Sequence, residues 1–338
     1  MSATGKDKKG EYILVTGGAG YIGSHVVRDL GEHGYRPIIY DNLSSGRAEA
    51  VLCGELIRGD LAETELLCSV IRKYDIKSVM HFAAFIQVNE SVSLPLNYYE
   101  NNSFNCLRLI KCCLENQVEN FIFSSTAAVY GMPDKIPVDE KTPLLPINPY
   151  GSSKLVSEMM LADTAAANPG FRYVALRYFN AVGADKQSRL GQNYHRPTHL
   201  LTLALKTALG RYPGLQVFGT DYATPDGTAI RDYIHVDDLA SAHLLALKFL
   251  KTEKQSRIFN CGYGRGYSVL EVIKAAKKVT GIDFKVELAG RRPGDPESLI
   301  ADSSLIRREL GWTPQFQDLD EIISTAWNWE KKLAARKP

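Results

Sequence analysis

The fold of this chain is decided by the stretch Glu11-Tyr-Ile-Leu-Val-Thr-Gly-Gly-Ala-Gly-Tyr-Ile-Gly-Ser24. Its first part is a short apolar run, typical of a buried strand. Gly17, Gly20 and Gly23 follow, before a helical pattern over 25–33. Glycines at this spacing allow a tight turn and bring backbone amides close to a pyrophosphate at a helix N-terminus. The stretch therefore predicts a strand, a dinucleotide-binding turn and a helix.

Strands and helices then alternate along the chain. Apolar runs at 37–40, 55–58, 78–82 and 120–123 predict strands, and the patterns at 63–74 and 94–116 predict helices. Such alternation predicts an α/β fold, a Rossmann-type doubly wound parallel sheet that binds its ligands at the carboxyl ends of the strands. The strict alternation breaks after residue 180, which indicates a smaller second domain with inserted loops.

An acidic residue stands where a dinucleotide-binding fold requires one. Asp41 ends the second predicted strand, 18 residues after Gly23. An acid near this distance binds the adenosine ribose diol and repels a 2′-phosphate, which favours NAD over NADP. The alternatives are that Asp41 and Asn42 merely form a turn, and that Arg47 nearby admits NADP.

A tyrosine and a lysine form the candidate chemical centre, Tyr150-Gly-Ser-Ser-Lys154. At the start of a helix this spacing puts both side chains on one face. A nearby ammonium favours the phenolate and lowers the tyrosine pKa, so the pair can take a proton from a hydroxyl while a cofactor removes hydride. Alone, the pair is as easily a surface tyrosine beside a solvated lysine.

The composition excludes several classes of protein. The 338 residues are 45% hydrophobic and 23% charged with a formal net charge of +2, which argues against a nucleic-acid or membrane-surface partner. Residues 1–10 predict a disordered extension without a signal sequence. The six cysteines and seven histidines show no metal-ligand spacing. We therefore predict no metal, and free, mostly buried thiols in a reducing cytoplasm.

Longer stretches carry a more specific signal. They are Thr16-Gly-Gly-Ala-Gly-Tyr-Ile-Gly23, Asp41-Asn-Leu43, Tyr98-Tyr-Glu-Asn-Asn102, Phe123-Ser-Ser-Thr126, Tyr150-Gly-Ser-Ser-Lys154, Leu176-Arg-Tyr-Phe-Asn180, Arg231-Asp-Tyr-Ile-His-Val236 and Arg291-Arg-Pro-Gly-Asp295. In these stretches the chain resembles the extended short-chain dehydrogenase/reductases, and more narrowly the UDP-glucose 4-epimerase family. The resemblance runs from about Tyr12 to Glu330.

The resemblance implies reversible 4-epimerisation of UDP-glucose and UDP-galactose at tightly bound NAD, through a 4-keto sugar. Tyr150 would take the proton of the sugar 4-hydroxyl, Lys154 would lower the tyrosine pKa and hold the nicotinamide ribose, and Thr126 would bond the 4-oxygen. The implied cofactor-binding residues are Gly17, Gly20, Tyr21, Ile22, Gly23, Asp41, Asn42, Asp60, Leu61, Phe82, Ala83, Ala84, Asn101, Lys154 and Phe179. The implied substrate-binding residues are Thr126, Tyr150, Asn180, His199, Leu200, Gln216, Phe218, Arg231, Arg292, Asp295 and Leu299.

The resemblance also implies the organisation of the chain. We expect an NAD-binding domain at 11–180, a nucleotide-sugar-binding domain at 181–338, and a segment 236–261 that packs back on the first. A homodimer through helices within 89–116 and 150–168 is expected by analogy. Ile86 and Gln87 stand where several relatives carry Lys-Ala, which could weaken NAD retention. Leu299 stands where residue size limits the sugar, so partial acceptance of UDP-N-acetylhexosamines is a hypothesis.

Other functions stay open to different degrees. A 4,6-dehydratase needs an acid and a base directly after the threonine, where this chain has Ala127 and Ala128. A UDP-pentose or UDP-glucuronate 4-epimerase is closer. A catalytically silent NAD-binding protein is expected to lose Tyr150, Lys154 or the hydroxyl of Thr126. A dehydrogenase with net redox turnover shares the Tyr/Lys chemistry, but gives no role to the candidate diphosphate arginines.

Overall fold

The computed structural model describes residues 10–292 and 294–336, so most of the predicted extension at 1–10 lies outside the described residues. The strands and helices follow one another as β1 (Tyr12–Thr16), α1 (Tyr21–Glu32), β2 (Arg36–Asp41), β3 (Glu55–Arg58), α2 (Thr64–Lys73), β4 (Ser78–His81), α3 (Val88–Ser93), α4 (Pro95–Tyr98), α5 (Asn105–Glu115), β5 (Asn120–Ser124), α6 (Pro149–Ala167), β6 (Arg172–Tyr178), β7 (Asn180–Val182), α7 (Leu200–Ala208), β8 (Leu215–Phe218), β9 (Ile230–His235), α8 (Val236–Glu253), β10 (Arg257–Cys261), β11 (Gly266–Ser268), α9 (Val269–Thr280), β12 (Val286–Ala289), β13 (Ser298–Leu299), α10 (Ser304–Leu310) and α11 (Leu319–Ala335).

Seven strands form one parallel sheet in the order β10-β6-β5-β4-β1-β2-β3. The chain runs outward from β1 to β2 and β3 on one side, and from β4 to β5, β6 and β10 on the other. This reversal opens a crevice at the carboxyl ends of β1 and β4, where ligands bind in such sheets. The predicted Rossmann-type α/β fold is confirmed.

Helices cover both faces of this sheet, which explains why its strands read as apolar runs without alternation. On one face α1 packs against α8, which lies over β5 and β6, and Val26 and Leu247 belong to that core. On the other face α2 and α5 bury Ile71 and Leu109. Each fully buried aliphatic side chain of this kind contributes about 1.5–3 kcal/mol, and together they fix the position of the crevice.

The region after residue 180 builds a second, smaller set of layers. A sheet of β11, β9 and β13, with β7 beside β9, and a pair of β12 and β8 pack against α7, α9 and α11. Two elements of this region return to the first half of the chain, since α8 packs on α1 and β10 extends the main sheet beside β6. The division into domains at residue 180 stays a prediction.

The segment 94–116, predicted as one helix, is built from several pieces. It comprises α4, a π-helical turn at Tyr99–Phe104, and α5, and it is preceded by α3, which lies outside the helical pattern at 94–116. The turn carries Asn102, whose amide donates to the carbonyl of Phe85 (3.0 Å) and to Ser153 Oγ (3.0 Å), and accepts from the Phe85 amide (2.8 Å). Tertiary hydrogen bonds to Asn102 thus favour a widened turn, of the kind that often lies at functional sites.

The expectation of free thiols throughout was wrong for one pair. Cys68 on α2 and Cys112 on α5 are joined as a disulfide, with their Cα atoms 5.5 Å apart. This distance lies in the usual range for disulfides. The pair was missed because the sequence does not show that two residues 44 positions apart face each other across packed helices. The other four cysteines are free.

Across 10–292 and 294–336, no helix is both long and apolar enough to cross a membrane. Over the same ranges, no three His, Cys, Asp or Glu side chains are grouped as metal ligands. A cytoplasmic location stays a prediction.

Candidate active site

One large cavity, of about 430 Å³, lies at the carboxyl ends of the central strands. It extends from the glycine-rich turn after β1 to the strand β8 in the second half of the chain. All but one of the predicted site residues line it, namely Gly17, Gly20, Tyr21, Ile22, Gly23, Asp41, Asn42, Asp60, Leu61, Phe82, Ala83, Ala84, Asn101, Thr126, Tyr150, Phe179, Asn180, His199, Leu200, Gln216, Phe218, Arg231, Arg292, Asp295 and Leu299. The exception is Lys154, which lies behind the wall. Their individual roles stay predictions.

The glycine turn has no room for side chains at two of its three positions. Gly17 has φ +72°, and a Cβ there would stand 2.5 Å from the Ala83 amide nitrogen. A Cβ on Gly23 would stand 2.3 Å from the Gly17 carbonyl oxygen. The N-terminus of α1 has no side-chain cap and no acid in its first turn. Free amides and the positive end of the helix dipole therefore face the cavity, as an anion such as a pyrophosphate requires.

Asp41 lies beside this turn and is held by backbone amides. Its carboxylate accepts hydrogen bonds from the amides of Ala19 (3.0 Å) and Leu43 (2.8 Å). Burial raises the pKa of Asp41, and these two hydrogen bonds act against the rise. Each carboxylate oxygen keeps a second lone pair, which can accept from a ribose hydroxyl. Arg47 does not line the cavity, and its guanidinium contacts His195 (Nη2 to Nε2, 2.9 Å), which weakens the NADP alternative.

The first turn of α6 carries Tyr150 into the cavity. The helix begins at Pro149 and is capped by Asn148, whose side chain accepts from the Gly151 amide at 2.8 Å. Burial raises the pKa of Tyr150, and the hydroxyl of Thr126 acts in the opposite direction. Thr126 Oγ1 also accepts from the Ala128 amide at 3.1 Å, which fixes the hydroxyl at the cavity wall.

Lys154 lies one helical turn further along α6 and is almost completely buried. Its ammonium donates to the Ser124 carbonyl oxygen at 2.8 Å and lies 4.8 Å from the ring centroid of Phe123. Burial lowers the pKa of Lys154 to about 8. Burial raises the pKa of the Tyr150 phenol, so the expected lowering of that pKa by the Lys154 ammonium stays a prediction.

The burial of Lys154 leads to a prediction about stability. Each unit of pKa shift corresponds to 1.36 kcal/mol, so holding a charged Lys154 inside the fold costs about 3 kcal/mol at pH 7. Lys154→Met should therefore lose activity but unfold at higher denaturant concentration than the wild type, when both are freed of NAD.

The pH dependence of unfolding tests whether the buried charge of Lys154 causes the difference in stability. Because the folded pKa is lowered, the unfolded chain binds more protons between about pH 8 and 10.5, and wild-type stability rises with pH in that window. The stability difference between Lys154→Met and the wild type should therefore become smaller in this pH range. The exposed-lysine control Lys248→Met should match the wild type at every pH. A gain that is constant with pH contradicts the charge as its cause.

Two tyrosines of the site were not singled out from the sequence. Tyr178 lines the cavity and its hydroxyl accepts from Ser124 Oγ at 3.1 Å, while Tyr194 lines the cavity from the loop before α7. Tyr178 lies within the stretch Leu176-Arg-Tyr-Phe-Asn180 that carried the resemblance, which was the available signal. Tyr194 lies in a polar loop, where no periodicity marks a residue as facing inward.

Ile86 and Gln87 also line the cavity. The Gln87 backbone is fixed by Tyr98, whose hydroxyl accepts from its amide (3.1 Å) and donates to its carbonyl oxygen (2.7 Å). The loop is thus held in place without a lysine. Its effect on NAD retention stays a prediction.

The far end of the cavity combines arginines with an aromatic ring. Arg231 is half-buried and donates to the carbonyl oxygens of Ile230 (2.8 Å) and Glu297 (3.4 Å). Arg292 lies over the ring of Phe218, with its guanidinium carbon 3.4 Å from the ring centroid. Guanidinium groups suit diphosphate oxygens, and an aromatic ring offers a surface for a base.

The parts of the cavity fit NAD and a second nucleotide. The glycine turn and the N-terminus of α1 can hold a pyrophosphate, Asp41 can hold a ribose diol, and Tyr150 lines the same cavity as the two arginines. Fold and site together define a dinucleotide-binding α/β enzyme, with a tyrosine in the wall of its cavity.

Comparison with known proteins identifies the family. The model of the NAD dependent epimerase/dehydratase family matches residues 13–262. A UDP-glucose 4-epimerase from Azospirillum brasilense is 51% identical over 322 residues, which cover 95% of this chain and 92% of the relative. The chain therefore belongs to the NAD dependent epimerase/dehydratase family and, within it, to the UDP-glucose 4-epimerases, which are NAD-dependent isomerases.

Solved structures agree with this assignment. The crystal structure of UDP-glucose 4-epimerase from Brucella ovis in complex with NAD is 46% identical, with a TM-score of 0.90 over 94% of this chain and 98% of that one. The UDP-Glc/GlcNAc 4-epimerase from Campylobacter jejuni is 48% identical, with a TM-score of 0.83 over 96% of this chain and 100% of that one.

Proposed function

We propose that this protein interconverts UDP-glucose and UDP-galactose by reversible oxidation at C4 of the sugar. One observation carries the proposal: a single cavity joins the glycine turn, Tyr150 and the pair Arg231 and Arg292. A dinucleotide at one end and a nucleotide diphosphate at the other leave the sugar beside the tyrosine hydroxyl.

In this proposal the chain's residues move and stabilise one proton. When bound, NAD supplies a hydride acceptor that can return the hydride to the same carbon. Tyr150 takes the proton of the 4-hydroxyl and later gives it back, while Thr126 Oγ1 donates to the 4-oxygen and holds it in position. Because burial raises the pKa of Tyr150, the phenolate requires positive charge nearby. The ammonium of Lys154, one helical turn away, is the protein's contribution to that charge.

The sugar must present both faces to the same tyrosine for the reaction to invert C4. The wall near Tyr150 includes Ala127, Ala128 and Leu299, which have no side-chain hydrogen-bonding groups. Such a wall holds the 4-keto sugar weakly, while Arg231 and Arg292 anchor the diphosphate by charge-assisted hydrogen bonds. We infer that the sugar turns over about the diphosphate linkage without leaving the cavity.

The function is tested with the purified protein, UDP-galactose and no added NAD. We expect UDP-glucose to form, with no net change in absorbance at about 340 nm, since the cofactor is reoxidised in each turnover. A control with NAD added should give the same rate. If no UDP-glucose forms under either condition, the UDP-hexose substrate is wrong.

Leu299 leads us to propose activity on UDP-N-acetylhexosamines as well. Its side chain is buried against Ala127 and Phe179 at the cavity wall, and leucine fills less of the cavity than tyrosine does. The similarity to the Campylobacter jejuni UDP-Glc/GlcNAc 4-epimerase supports this proposal. We expect measurable turnover of UDP-N-acetylgalactosamine, and Leu299→Tyr should lose it while keeping UDP-galactose turnover. Equal loss of both activities in the variant would contradict the size argument.

We further propose that two copies pair through the helices around α5 and α6. Leu96 on α4, Phe104 at the end of the π-helical turn and Met159 on α6 are 77%, 49% and 58% exposed, which is unusual for large apolar side chains grouped in one region. Light scattering after gel filtration should give a dimer mass, and Leu96→Glu combined with Met159→Glu should give a monomer. The matched control is Leu288→Glu, a 67% exposed leucine on β12, which should stay dimeric. A monomeric wild type removes the proposal.

A further inference from the structure

Two neighbouring arginines of one loop make different contacts. Arg291 lies over the Tyr222 ring at 4.1 Å and is tied to Asp221 by an ion pair of 2.7 Å. Arg292 lies over the Phe218 ring at 3.4 Å, and among the described residues no hydrogen bond or ion pair holds its guanidinium. Arg292 and Phe218 both line the cavity, whereas Arg291 does not.

The distance between Arg292 and Phe218 restricts what else the ring can bind. At 3.4 Å the guanidinium is in van der Waals contact with the face of the ring. A nucleobase stacks on an aromatic ring at a similar separation, so a base and the guanidinium cannot occupy the same face together. The ring that would stack uracil is therefore covered by the side chain that would bind the diphosphate.

We propose that Arg292 makes the site select uridine nucleotides that carry a diphosphate over uridine itself. In the free enzyme Arg292 covers Phe218. When a UDP compound binds, the guanidinium leaves the ring for the diphosphate, and uracil stacks on the ring in its place. The inference rests on the proposed function, since it takes a UDP-sugar as the substrate.

The selectivity depends on whether the ligand forms new interactions with Arg292 after the guanidinium has left the ring. A ligand with a diphosphate replaces the lost cation–π contact by charge-assisted hydrogen bonds to the same guanidinium. Uridine also displaces Arg292 from the ring, but it has no phosphate that could accept hydrogen bonds from the guanidinium. Arg231 does not move between the ring and the diphosphate, because its hydrogen bonds to the carbonyl oxygens of Ile230 and Glu297 hold it in one place.

The test is calorimetric titration of the NAD-containing enzyme with uridine and with UDP. In Arg292→Ala the affinity for UDP should fall by about 10- to 100-fold, as expected for lost hydrogen bonds to charged groups. The affinity for uridine should rise by about 2- to 30-fold, the range of one cation–π contact. In the control Arg291→Ala both affinities should stay within about twofold of the wild type.

A double-mutant cycle with Phe218→Leu identifies the ring as the cause. Phe218→Leu should weaken uridine binding, and in its background Arg292→Ala should no longer improve it. The inference is overturned if uridine affinity in Arg292→Ala is unchanged or lower, or if the gain persists without the ring. If the wild type epimerises UDP-galactose but Arg292→Ala does not bind uridine more tightly, only this inference is removed. A wild type that neither epimerises UDP-galactose nor binds UDP removes the proposed function as well.

Discussion

Replacing Tyr150 by phenylalanine should lower kcat for UDP-galactose by about 10²- to 10⁴-fold, the usual worth of a general acid-base group. The substitution removes only the hydroxyl of a tyrosine that lines the cavity together with Thr126. Tyr178 and Tyr194 line the same cavity, but they do not lie on α6, which carries Lys154 one helical turn after Tyr150. We therefore expect neither to replace Tyr150 as the base.

The control for Tyr150→Phe is its ability to bind NAD and UDP. Because the aromatic ring is kept, NAD content after purification and the affinity for UDP should match those of the wild type within about twofold. Tyr178→Phe is the matched variant, and it should keep most of the wild-type kcat. If Tyr178→Phe lowers kcat as strongly as Tyr150→Phe does, the assignment of the base is wrong.

Replacing Gly20 by valine should give a folded protein that carries no NAD. The Gly20 backbone is extended (φ −80°, ψ 179°), which any residue can adopt. A Cβ there would meet only the Gly17 carbonyl oxygen, at 3.2 Å, so the remaining side chain must project into the cavity. It would occupy the space beside the free amides of α1. Each hydrogen bond lost to a charged phosphate weakens binding by about 10-fold or more.

The readout for Gly20→Val is the NAD released from the denatured protein, measured against the wild type. Gly170→Val is the matched control, because its Cβ would meet no other atom within 4 Å, and it should retain NAD. Both variants should show the far-ultraviolet circular dichroism of the wild type. Full NAD content in Gly20→Val would contradict the placement of the pyrophosphate at this turn.

Local patterns in the sequence were enough to predict the main sheet. The apolar runs, the spacing of Gly17, Gly20 and Gly23, and Asp41 at the end of β2 all concern residues close together in the chain. Packing on both faces of a parallel sheet then leaves few topologies, so the crevice and its glycine turn follow from the order of the elements.

Features that depend on tertiary packing could not be predicted from the sequence. The π-helical turn at Tyr99–Phe104 accompanies hydrogen bonds from Asn102 to Phe85 and Ser153, which are distant in the chain. The pair Cys68 and Cys112 required the packing of two helices. The helical spacing placed Lys154 on the face of Tyr150, but its turn toward the Ser124 carbonyl depends on β5 lying beneath α6.

The central claim is that C4 of the sugar is oxidised and reduced with its own hydrogen. It is tested by converting UDP-galactose to UDP-glucose in deuterium oxide and measuring deuterium at C4 by mass spectrometry and NMR. Because the hydrogen leaves C4 as a hydride and Tyr150 exchanges only the hydroxyl proton, we predict UDP-glucose without carbon-bound deuterium at C4. Incorporation of one deuterium at C4 per turnover would show that a protein base removes and returns the C4 proton, and would contradict the account.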